Sequence, residues 1–158
     1  MNRFAAIAAV GFFVAAAAAD FVTYGNARFG YSIAYPPALV SPQPEAENGD
    51  GRIFQAKKGT ARFLVYGGYI LEGINDSPEQ RAVDAEKDCP RHRASYRVVK
   101  RALVAVSCST ASEIIYLKTI MQDGVATTFS GRYPIAERAI WDGVVARMAA
   151  SLTPGHGV

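Results

Sequence analysis

Large side chains at Phe29, Tyr31, Ile33 and Tyr35 alternate with Gly30, Ser32 and Ala34. A period of two puts the large residues on one face of an extended strand and the small ones on the other. Small residues on that second face predict close packing by a helix or another segment. Pro36 and Pro37 end the strand, because neither can donate a backbone N–H to a ladder. The segment 28–37 therefore reads as the first sheet element, to which later strands are added.

Ahead of it, 20–27 is a short lead-in, with Phe21-Val22-Thr23-Tyr24 strand-forming and Gly25-Asn26 a turn. Behind it, 42–51 combines two prolines with Glu45, Glu47, Asn48, Gly49, Asp50 and Gly51, the composition of a loop. Residues 51–56 predict a strand, Lys57-Lys58-Gly59-Thr60 a tight turn, and 61–66 the hairpin partner. Gly67-Gly68 then marks a bulge or a close backbone approach. Ser77 as N-cap and Pro78 at the first helical position predict a helix running to about Asp88, before Pro90. Its apolar residues (Ala82, Val83, Ala85, with Cys89 beyond its end) are few, so it should lie on a sheet face from outside.

Three strands follow, at 96–106, 113–121 and 125–133. Gln122-Asp123-Gly124 joins the last two as an Asp-Gly hairpin turn. From Pro134 a second helix is predicted, with Ile140, Trp141, Val144, Val145, Met148 and Leu152 on one stripe and a loose tail at 154–158. This order of elements predicts a single α+β domain over 20–158, an antiparallel sheet flanked by helices.

The first 19 residues change the setting. Met1-Asn2-Arg3 precedes an uncharged run, 4–19, that ends in five alanines before Asp20. A basic start, an apolar core and small residues at the end make 1–19 a secretory signal peptide. An uncleaved anchor is the other reading, but the run is short for a span, which needs about 20 apolar residues. No cysteine stands at the junction to carry a lipid. Without the leader's Arg3, 16 Lys and Arg face 14 Asp and Glu. A balance that close to neutral argues against nucleic acid as partner and against a whole-protein field.

Cys89 and Cys108 are the only cysteines. An even pair in an exported chain reads as one disulfide. The competing reading is an activated Cys89 thiol with His92 as base, a small thiol-dependent enzyme or redox protein. A position at a helix C-terminus works against that thiolate. Gly-x-Ser-x-Gly is absent, only His92 and His156 could act as general bases, and two dispersed histidines do not make a zinc site. In the acidic stretch 45–51, placing Gly51 sixth puts Ala46 first and Lys57 twelfth, which defeats a calcium loop. No catalytic residue, metal or cofactor is therefore expected.

Arg91, Arg93, Arg97, Lys100 and Arg101, with His92 and Tyr96, form the one concentration of charge, and no acid interrupts them. Two readings stand. They form a patch for an anionic partner, or they guard an exposed edge strand against self-pairing. Tyr66, Tyr69, Tyr116 and Trp141 could line a groove, although aromatics in strands more often belong to a core. Asn75-Asp76-Ser77 is a glycosylation sequon that a helix cap also explains.

Phe29-Gly30-Tyr31-Ser32-Ile33-Ala34-Tyr35-Pro36 resembles the opening of PsbP-like domains, where a Phe-Gly-aromatic strand runs into Tyr-Pro. Tyr133-Pro134, followed by a helix ending near Ala150-Ser151-Leu152, is similar to that fold's closing helix. The resemblance covers most of the chain after the leader and implies an αβα sandwich. It also implies a binding or assembly module, since members of that superfamily, Ran-binding and bacterial envelope proteins among them, mostly work so. The expectation is an exported, periplasmic or secreted, bacterial domain that binds a protein or an anionic envelope component.

Overall fold

The computed structural model describes residues 20–157, so the leader predicted at 1–19 lies outside the described residues. The strands are β1 (Val22–Gly25), β2 (Ser32–Tyr35), β3 (Val40–Glu45), β4 (Gly51–Ala56), β5 (Arg62–Tyr69), β6 (Tyr96–Lys100), β7 (Leu103–Ser109), β8 (Glu113–Gln122) and β9 (Val125–Pro134). Helix α1 (Pro78–Glu86) separates β5 from β6, and α2 (Arg138–Ser151) follows β9. Seven strands form one antiparallel sheet in the order β3-β4-β5-β9-β8-β7-β6, while β1 and β2 make a separate two-stranded ribbon. Two long strands sit at its centre because Asp123 (φ 49°) and Gly124 (φ 77°) take the paired left-handed conformations of a hairpin turn.

Alternation along these strands divides the molecule into two cores. On the first face Phe54, Phe63, Val65, Val125, Phe129 and Tyr133 meet Tyr24, Tyr31 and Ile33 of the ribbon region, with Trp141, Val145, Met148 and Leu152 from α2. On the second face Val104, Val106, Cys108 and Ile115 meet Ala82 of α1 and Cys89 just beyond it. The sheet therefore lies between helices, as expected. No helix among the described residues is long and apolar enough to cross a membrane.

Several elements differ from expectation. The opening segment is extended only from Ser32, because Gly30 is left-handed (φ 68°) and the N–H groups of Phe29 and Gly30 turn back onto Asn26. Its alternating large residues Phe29, Tyr31 and Ile33 are all buried, yet β2 pairs with β1 and lies on the large sheet rather than within it. The predicted loop at 42–51 begins as edge strand β3, which carries Pro42 and Pro44 and shifts register between Pro42 and Glu45. An outermost strand bonds a neighbour on one side only, so it tolerates prolines. The single strand predicted at 96–106 is a hairpin, β6 and β7, turning at Arg101-Ala102.

Gly67-Gly68 makes no bulge, since β5 pairs with β9 without a break from Arg62 to Tyr69. The close approach at Gly67 is to a ring: a Cβ there would stand 2.8 Å from Phe29 Cγ. Val83 and Ile140, expected on buried stripes, are exposed. The tail, expected to be loose, is tied over its described part. Gly155 N–H donates to Thr127 Oγ1 (2.9 Å), His156 N–H to the Phe29 carbonyl (2.9 Å) and Gly157 N–H to that of Asp123 (3.1 Å).

Phenol groups seal the first core. Tyr31 donates to the Asp50 carbonyl (3.0 Å), and Tyr133 to Asp142 Oδ1 (2.8 Å). Burial is the main cause that pushes both hydroxyls above their ordinary value of 10.0, helped at Tyr31 by neighbouring Tyr24 and at Tyr133 by the bond to Asp142. A phenol whose folded pKa is raised contributes stability that is complete below the unfolded value and lost as pH climbs past it. Unfolding free energy should therefore fall above about pH 10, and Tyr133→Phe should flatten that fall in urea titrations. Gly67→Ala should cost about 1–3 kcal/mol by overpacking against Phe29. In the same assay Gly68→Ala, with nothing within 4 Å of its new Cβ, should not destabilise.

Candidate functional site

On the second face α1 covers β6, β7 and part of β8 and leaves the remainder open. A trough results. One wall is α1 and its exit, where Arg81, Asp84, Ala85 and Asp88 fall on one side at spacings of three and four. The other wall is β5, whose Arg62, Leu64 and Tyr66 point away from the first core at spacing two. Leu117, Thr119, Thr128 and Ser130 contribute to the floor. Two neighbouring cavities of about 320 and 310 Å³ lie along the trough and share Tyr66, Ala85, Asp88 and Leu117.

Charge is uneven along it. Arg62 and Arg132 are register partners on neighbouring strands, so two arginines stand opposite each other at one end, which both of them line. Arg132 Nη2 meets Asp88 Oδ2 at 2.5 Å, whereas Arg62 makes no ion pair among the described residues. Like charges directly opposite each other on a sheet are unfavourable unless something neutral or anionic separates them. At the far end Arg81 Nε donates to the Asn75 carbonyl (2.8 Å). Burial is the largest influence on Arg81 and pulls its pKa down, while the charge of Asp84 acts in the opposite direction. Asp84 is held below the usual carboxylate range first by Lys87, bonded at 2.6 Å, and then by Gln80. Thr119 and Thr128 share a hydrogen bond at 2.9 Å.

The residues singled out from sequence are dispersed. Cys89 and Cys108 are joined in a disulfide with a Cα–Cα distance of 5.8 Å, and both are buried. The bond staples the end of α1 to β7, and a Cys89 nucleophile has no thiol to use in this state. The basic cluster follows the β6 edge but is not one patch. Period two puts Arg97 on the α1 side, where it pairs with Glu79 and, at 3.5 Å, with Glu86. Arg91 and Arg93 precede the strand, Lys100 ends it and Arg101 lies in the turn, all exposed. Arg91 (φ 58°) and His92 (φ 51°) are both left-handed, held by the His92 N–H to the Cys89 carbonyl and by His92 Nδ1 against the Lys87 carbonyl at 3.0 Å.

Of the four aromatics considered for a groove, Trp141 is core, donating to Glu137 Oε2 at 2.7 Å, and Tyr116 is half-buried. Tyr66 and Tyr69 are exposed, and Tyr66 lines the trough. The trough was missed, yet a signal exists. In β5, Phe63 and Val65 are apolar at one parity while Leu64 and Tyr66 are apolar at the other, the pattern of a strand with both faces in use. Asn75, the sequon residue, is engaged through both side-chain atoms, with Leu71 N–H and the Tyr69 carbonyl.

This arrangement defines a class: an α+β domain whose seven-stranded antiparallel sheet lies between helices. It is similar to the solution structure of cyanobacterial PsbP (CyanoP) from Synechocystis sp. PCC 6803, with a TM-score of 0.60 and 12% identity over 94% of this chain and 98% of that one. A crystal structure from Bacteroides thetaiotaomicron VPI-5482 is also similar, with a TM-score of 0.52 and 14% identity over 84% of this chain. This chain spans about half of that protein's length (47%). No family model and no curated protein matches the sequence. The fold is PsbP-like, as the opening and closing motifs implied.

The staple between α1 and β7 closes a loop with a sequence separation of 19. Replacing both cysteines by alanine should therefore lower the unfolding free energy by about 3 kcal/mol, read from the urea midpoint.

Proposed function

We propose that this chain is an exported, non-catalytic domain of the cell envelope that holds a protein or an anionic envelope component along its β6 edge. Export is supported by the features of 1–19 and by a disulfide, a bond at home in oxidising compartments. The PsbP-like fold supports a role in binding, as the superfamily resemblance implies.

The observation that carries this reading is the contrast between the two edges of the sheet. Edge β3 is blocked by Pro42 and Pro44 and by its register shift. Edge β6 has no proline and is bracketed by Arg91 and Arg93 at one end and by Lys100 and Arg101 at the other. A guard against self-pairing needs charge within the strand. Here the strand itself contributes Arg97, which α1 occupies, and Lys100; the other three lie outside it. Two charged ends flanking a strand of five residues, itself roughly 14 Å long, suit a partner with spaced anionic groups. Left-handed backbone at Arg91 and His92 costs stability, a feature that tends to persist at functional sites.

The test is capture from an envelope extract by the oxidised domain, compared with the triple variant R93E/K100E/R101E. The wild-type domain should retain a partner whose binding weakens as salt rises, and the triple variant should lose it. Retention that is indifferent to both salt and charge reversal would remove the β6 edge from consideration.

A further inference from the structure

We propose that the trough between α1 and the open part of the sheet binds a monocarboxylate with an unbranched apolar chain, its carboxylate at Arg62. This site lies on the sheet face, away from the β6 edge, and does not rest on the reading of that edge.

Charge selects the head group. Of the two register-paired arginines, Arg132 is already met by Asp88, and Arg62 has no ion pair among the described residues. The local excess is therefore one positive charge beside a fixed carboxylate. A monoanion neutralises it, whereas a doubly charged phosphate would leave a net negative charge beside Asp88. The planar fork of Arg62 suits a carboxylate in bidentate geometry.

The walls and floor select the tail. Leu64, Leu117, Ala85 and the ring of Tyr66 lead away from Arg62. The far cavity, with Arg81, Asp84, Asp88, Thr119 and Thr128, is the more polar of the two, but Thr119 and Thr128 bond to each other, Arg81 is bonded to a carbonyl and Asp84 to Lys87, so nothing there calls for a second head group. An extended peptide is a poor occupant. The face of a sheet has its backbone groups already paired between strands, so a peptide's own N–H and C=O groups would find few partners on that floor. An alkyl chain needs none. Along β9 the site runs from Arg132 to Thr128, roughly 13 Å at strand spacing. A zigzag chain with C–C bonds of about 1.5 Å fills that length with about ten carbons.

The experiment is isothermal titration of the oxidised domain and of Arg62→Gln with octanoate, decanoate and decyltrimethylammonium below their micelle concentrations and with decanol below its solubility limit. Decanoate should bind saturably, about fivefold tighter than octanoate for its two extra methylenes in a half-open site. Decanol should be about tenfold weaker than decanoate, since it cannot form the charge-assisted fork. Decyltrimethylammonium should not saturate. Arg62→Gln, an exposed change checked for folding by circular dichroism, should weaken decanoate about tenfold and leave decanol unchanged. No saturable decanoate binding, equal affinity for decanoate and decanol, or indifference to Arg62→Gln would each overturn the proposal. An apolar peptide with a free C-terminal carboxylate, run alongside, should bind more weakly than decanoate; tighter binding would also overturn it. The variant R93E/K100E/R101E should keep its decanoate affinity, so the two sites can fail separately.

Discussion

A helix with its side chains is about 10–12 Å across, whereas seven strands at about 4.8 Å spacing make a sheet about 29 Å wide. No single helix can cover such a face, and the rest of the structure follows from that mismatch. On the first face the deficit is made up by the β1–β2 ribbon beside α2, and the described C-terminal residues fold back to tie ribbon, β9 and hairpin turn together. On the second face α1 is the one helix among the described residues, and the trough is the part it cannot reach.

Helix α1 is poorly equipped to hold its place by burial. Ala82 is its one fully buried residue, and Val83 faces solvent. What fixes it is at its margins: Ser77 capping Gln80 N–H, Arg97 against Glu79 and Glu86, Arg132 against Asp88, and the Cys89–Cys108 bond. Exposed ion pairs contribute little on their own. The covalent bond is therefore the dominant restraint, and the wall of the trough depends on an oxidising surrounding.

Much of this was legible in the sequence where local chemistry has one solution. Asp123-Gly124 demanded a hairpin and Ser77-Pro78 a helix start, and of the two readings of Cys89 the bond to Cys108 was the favoured one. The failures came where tertiary context decides. Arg101-Ala102 turns a hairpin without glycine, proline or asparagine, so β6 and β7 read as one strand. Pro42 and Pro44 argued for a loop, although an edge strand accepts them. The opening segment's alternation correctly marked Phe29, Tyr31 and Ile33 for burial but could not reveal that β2 lies on the large sheet instead of within it. For the site, adjacency in sequence suggested one basic patch, yet strand parity sends Arg97 towards α1 and Lys100 away from it. Arg62 and Arg132 are far apart in the chain, and only the pairing of β5 with β9 brings them together.

The dependence of α1 on its covalent staple is open to direct measurement by amide hydrogen exchange on the domain before and after mild reduction. If the bond is the dominant restraint, amides in 78–86 should lose protection on reduction while those of β8 and β9 keep theirs. Unchanged protection in α1, or loss of α1 and the central strands in one step, would contradict it.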